Sequence, residues 1–145
     1  MRSYFLKSLV LVVFASSLLY LSSCSEDDAK NDLLGSWVAA TIVNGSCSDS
    51  ADDGTTTLTC TTEDCMRLIF TEGSEFEFQI TANNATRRQS GTVRIDGSTI
   101  DLCEEEEGMS ICDRFSFSVN SSSLVLTMND EQTGCQVRTT YTKEQ

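Results

Sequence analysis

From residue 33 to residue 142, apolar residues recur at every second position in short runs, and turn signals separate the runs. Glu75-Phe76-Glu77-Phe78-Gln79-Ile80 is the clearest case. Its Phe76, Phe78 and Ile80 share one face of an extended chain, and its polar residues share the other. Met66, Leu68 and Phe70 alternate in the same way, as do Phe115, Phe117 and Val119. Residues 33–43, 85–95, 98–103, 124–128 and 135–142 also read as strands. Asn83-Asn84 and Asp96-Gly97 are hairpin signals, and Gly91 marks a bulge or bend. No segment sustains a helical period. Strands with one apolar face must bury it against one another, so the pattern predicts an all-β, antiparallel barrel or sandwich of about eight strands.

The first 24 residues read as an address. Arg2 and Lys7 precede an uncharged apolar run over residues 8–21, too short and too weakly flanked for a membrane span. The run ends in Leu21-Ser22-Ser23-Cys24, which resembles the bacterial lipobox. That resemblance implies a signal peptide over 1–23, and Cys24 lipidated as the new N-terminus. Several acyl chains would then anchor the chain to a membrane, each buried methylene contributing about 0.8 kcal/mol. Ser25-Glu26-Asp27-Asp28 resembles the acidic export signal of surface lipoproteins in Bacteroidota. It implies a lipidated N-terminus and acidic linker over 24–32, on an outer membrane lipoprotein exposed at the cell surface. A plain solvated linker would look the same.

Beyond Cys24 an even set of cysteines remains: Cys47, Cys60, Cys65, Cys103, Cys112 and Cys135. In an exported chain this reads as a disulfide framework, whose pairing the count alone does not fix. Zinc is not expected, because the chain has neither a C-x2-C pair nor a histidine. Alternation places Cys103 on the face opposite Ile100 and Leu102, and Cys112 on the face opposite Phe115 and Phe117. Both then lie on the outer face of one hairpin, which favours Cys103–Cys112. Cys60 and Cys65 are close in sequence, leaving Cys47 to Cys135. Residues 44–60 read as a long polar loop tied down by these bonds.

Gly35-x-Trp37 at the first strand, followed by this order of strands, resembles the lipocalin-like lipoproteins of Bacteroidota. The resemblance spans roughly residues 33–142 and implies an up-and-down, disulfide-stapled barrel domain over 33–143. It also implies that Trp37 packs at the closed end against a basic residue of the last strand, here Arg138. The chain lacks the C-terminal helix of typical lipocalins.

Trp37, Phe76, Phe78, Phe115 and Phe117 are the residues expected to line a ligand cavity. The same residues would also build a filled core. Small inward residues such as Ala39, Thr41 and Ala82 favour a cavity. Glu104, Glu105, Glu106 and Glu107 read as a hairpin tip, either a solvated acidic loop or a weak site for a hard cation. Asp49, Asp52 and Asp53 make a looser set that misses the EF-hand spacing.

The absence of histidine removes histidine-based acid–base and nucleophilic chemistry, and a net charge of −12 argues against nucleic-acid binding. No nucleophile elbow, P-loop or dinucleotide fingerprint is present, so the sequence predicts a non-enzymatic protein without a cofactor. The expected function is binding of a small apolar molecule in the barrel. The alternatives are a protein–protein interaction module with a packed core and acidic loops, or an accessory subunit of a nutrient-uptake system.

Overall fold

The computed structural model describes residues 26–145. The proposed signal peptide and Cys24 lie outside them. After helix α1 (Glu26–Leu33) come nine strands: β1 (Gly35–Gly45), β2 (Gly54–Thr57), β3 (Cys65–Thr71), β4 (Glu75–Ala82), β5 (Ala85–Asp96), β6 (Thr99–Glu106), β7 (Met109–Val119), β8 (Ser123–Asn129) and β9 (Gln136–Lys143). Every pairing is antiparallel, β3 to β9 follow one another as an up-and-down meander, and β1 pairs with both β3 and β9. That double pairing closes an eight-stranded barrel, to which β2 adds an outlying ninth strand.

The hairpins follow from local backbone chemistry. Asn83 and Asn84 both take positive φ, as do Glu107 and Gly108. Two such residues in a row give the tight turn whose twist suits flanking strands. At Gly91, β5 passes so close to β6 that a Cβ would run into the Cys103 carbonyl and the Phe76 ring. Pairing of β5 with β6 stops just after this point, at Thr92 and Cys103, while residues 85–91 stay paired with β4 alone. The barrel wall therefore parts between β5 and β6 toward one end.

That end is open, and the other is closed. At the closed end Trp37, Leu68, Ile100 and Leu124 are fully buried, and Leu33 of α1 is buried with them. The Trp37 indole donates to the Leu33 carbonyl at 2.7 Å. Lys143 lies opposite Trp37 in the β1–β9 register, with its Nζ 4.9 Å from the ring centroid. The same ammonium donates to the Asp32 carbonyl at 3.1 Å, in the last turn of α1, where a helix presents free carbonyls. Glu144 accepts from Arg67 and from Ser36 on the neighbouring strands. These bonds hold its carboxyl below the usual range, Arg67 first and Ser36 second.

Three disulfides tie the open half: Cys47–Cys135, Cys60–Cys65 and Cys103–Cys112. These are the pairs that strand alternation and sequence separation favour. Cys103 and Cys112 stand directly opposite each other in the β6–β7 register, on the outer face. The barrel closure, its core and all three bonds fall within residues 26–145, so this segment holds what it needs to fold on its own.

Four expectations need correction. Residues 26–32 of the expected linker belong to helix α1, which is held by Leu33 in the core and by its bonds to Trp37 and Lys143. The basic partner of Trp37 is Lys143. Arg138 pairs with Val43, well toward the open end. The supposed loop 44–60 contains a short helical turn (Ser50–Asp52) and β2, which takes the place beside β1 that β3 leaves. The acidic run is not a hairpin tip: β6 continues to Glu106, and the turn is Glu107-Gly108.

Candidate functional site

The barrel interior between the closed-end core and the open end is a cavity of about 370 Å3. Phe76 and Phe78 enter it from β4, Met66 and Leu68 from β3, Leu102 from β6, and Ile111 and Phe115 from β7; Ile42, Leu126, Val137 and Tyr141 complete its apolar wall. Each reaches the interior because its strand alternates, so residues two apart share the inward face. Ligand pockets commonly start at about 300 Å3 and are mainly apolar with a few polar groups.

Of the five aromatic residues expected to line a cavity, Phe76, Phe78 and Phe115 do so. Trp37 and Phe117 do not. Trp37 is fully buried beneath α1, and Phe117 lies two residues beyond Phe115 toward the closed end, packed against the core. Of the small residues expected inward, Ala39 is buried in the core, whereas Thr41 and Ala82 differ. The β1–β9 register slips between Ala39 and Thr41, a bulge that turns Thr41 outward and brings Ile42 into the cavity wall. Ala82 lies exposed near the β4–β5 turn.

The strand character of the acidic run divides its carboxylates. Glu104 and Glu106 follow Leu102 on the inward face and line the cavity toward its mouth, where Asp113 joins them from β7. Glu105 faces outward, against Ser110 and Thr92, and Glu107 occupies the turn. Among the described residues no three acidic or cysteine side chains converge as metal ligands would. Gln89 of β5 donates to Glu104 at 3.4 Å, spanning the split between β5 and β6. No lysine or arginine lines this cavity.

Two hydroxyls line the wall, those of Thr139 and, deeper in, Tyr141. Tyr141 is 5% exposed, and its hydroxyl has no hydrogen-bond partner among the described residues. Burial alone pushes its pKa up to about 12, so it stays a neutral donor and acceptor. No lining hydroxyl is hydrogen-bonded to a carboxylate that could activate it. The arrangement offers shape, apolar surface and charge.

Three other acidic groups hold local structure. Asp49 caps the short helical turn by accepting from the Ala51 amide at 2.9 Å, and Asp53 accepts from the Cys47 amide at 3.1 Å. Asp101, outside the barrel, takes a two-bond ion pair from Arg114 at 2.7 and 2.8 Å, which holds its carboxyl below the usual range. A smaller hollow of about 220 Å3 lies outside the barrel, between α1 and the β3–β4 turn.

Two features were open to sequence reading and missed. The inward carboxylates follow from extending the Ile100, Leu102 alternation two steps further. Tyr141 stands on the same face of β9 as Val137, four residues along the strand.

No family model matches the sequence, and no curated protein matches it. Among solved structures the chain is similar to a crystal structure of a lipocalin-like protein from Bacteroides uniformis. The TM-score is 0.58 at 15% identity, over 78% of this chain and 99% of the other. At that identity the likeness concerns the fold.

Proposed function

We propose that this chain is a lipid-anchored envelope lipoprotein that binds a small, largely apolar molecule in its barrel without catalysing a reaction. The cavity of about 370 Å3, walled by Phe76, Phe78, Phe115 and Leu126, carries the binding reading. The anchor rests on the sequence: a basic start, an apolar run and Cys24 in lipobox order, followed by acidic residues. On this reading residues 1–23 are removed, Cys24 is acylated, and the barrel over 33–143 stands off the outer membrane at the cell surface.

Calorimetric titration of oxidised residues 26–145 with decanol tests the binding. A saturable one-to-one complex is expected, and Leu102→Trp, which fills the cavity, should abolish it without loss of fold. Absence of binding to the wild-type chain refutes the reading. The anchor has its own test. Cys24→Ser should release the protein from the membrane fraction, and protease added to intact cells should remove the wild type.

One observation favours a partner surface as an alternative. Met109 and Ile111 are 64% and 52% exposed on the β6–β7 hairpin beside the acidic rim. Apolar residues ringed by charge suit a protein contact, as in an interaction module or an accessory uptake subunit.

A further inference from the structure

The cavity is asymmetric in charge along its length. Its wall is aromatic and aliphatic, its mouth holds Glu104, Glu106 and Asp113, and no cationic residue lines it. Independently, Tyr141 is 5% exposed and lines the inner wall, and its hydroxyl has no partner among the described residues. A hydroxyl that faces the cavity unpaired can both donate to and accept from a bound molecule.

We propose that the cavity is built for an amphiphilic organic cation. Its ammonium sits among Glu104, Glu106 and Asp113, its apolar body lies along Phe76, Phe78 and Phe115, and a hydrogen-bonding atom at its inner end meets Tyr141. This rests on the binding reading above and names its ligand class. A metal ion does not fit the rim, because the carboxylates do not converge. The overall negative charge also favours approach of cations over anions. Gln89 leaves Glu104 able to accept further bonds, since a carboxylate has several acceptor positions.

The opposing case is a carboxylate ligand. Arg87 pairs with Ile80 in the β4–β5 register and borders a neighbouring hollow that shares Phe78 and Gln89 with the cavity. A fatty acid would have to place its head there, at a mouth that also holds three carboxylates. Arg88, its neighbour, is already paired with Glu77 at 3.1 Å.

The test compares probes of one chain length on oxidised residues 26–145: decylammonium, decanol and decanoate, each kept below micelle formation. Decylammonium should bind about tenfold more tightly than decanol, and decanoate more weakly than either. High salt should shrink the advantage of the cation. Glu104→Gln, Glu106→Gln and Asp113→Asn together should abolish it, with an unchanged circular-dichroism spectrum and melting transition showing that the variant is folded. A terminal hydroxyl on decylammonium should add about fivefold, and Tyr141→Phe should remove that gain alone. Decanoate binding as well as decylammonium, or an advantage that survives the triple substitution, overturns the proposal but leaves the binding reading standing. Failure of all three probes removes both.

Discussion

At the closed end of the barrel, order comes from packing. Trp37, Leu68, Ile100 and Leu124 are at most 1% exposed, α1 covers the end, and no disulfide lies there among the described residues. At the open end the interior is hollow, Ile80, Met109 and Ile111 are exposed, and all three disulfides are found. A half that stays empty cannot draw stability from a filled core. Covalent ties that restrict the unfolded chain can supply it without occupying the interior. The division lets one small barrel combine a rigid base with an accessible cavity.

Several experiments sharpen or break this division. Trp37→Ala should have the largest effect, about 3–5 kcal/mol by chemical denaturation, because it opens a void in the packed end and unties α1. Phe78→Ala, in the hollow half, should cost clearly less, since that side chain is only partly buried and already borders empty space. Equal losses would contradict the comparison.

Removing Cys47–Cys135 by paired serine substitution should cost about 2–4 kcal/mol. This bond spans 88 residues, against 5 for Cys60–Cys65, so its loss should be the greater. Hydrogen exchange should rise in β2 and the β8–β9 turn, with α1 and the first residues of β1 still protected.

Tyr141 gives a pH signature. Its pKa is raised in the folded chain, from 10.0 to about 12, so the folded state holds the proton longer than the unfolded chain does. Stability is therefore full below about pH 10 and falls as pH rises toward about 12, by up to roughly 2–3 kcal/mol. Tyr141→Phe should flatten that part of the stability curve. The acid side runs the opposite way. Asp101, Asp130 and Glu144 have lowered pKa values, so the stability they give is present at neutral pH and lost as pH falls through the acid range.

Lys143→Met should have the smallest effect, about 1 kcal/mol, combining a lost cation–π contact with a lost charge at the end of α1. Its diagnostic is local: α1 should exchange faster while the cavity keeps its affinity for decanol.

The strands were legible because alternation around Phe76, Phe115 and Leu126 is a local property, and so were the Asn83-Asn84 and Asp96-Gly97 turns. Cys103–Cys112 was legible for the same reason, since both residues fall on one outer face. What escaped depends on tertiary partners. The bulge near Ala40 has no glycine to mark it, and it alone decides that Ile42 rather than Thr41 faces inward. Helix α1 has a polar sequence and is ordered by what it caps. The choice of Lys143 over Arg138 depends on the β1–β9 register, which strand patterns do not fix. The rim carboxylates were hidden by treating consecutive glutamates as a turn, although a strand carries its period through charged residues as readily as through apolar ones.

The most direct measurement is methyl-detected NMR of oxidised residues 26–145 titrated with decanol. Saturable shifts are predicted for Ile42, Leu102, Leu126 and Val137 along the cavity, with Leu33 and Leu124 at the closed end unmoved. Shifts confined to the closed end, or no saturable shift at all, would contradict a barrel whose open half is a binding cavity.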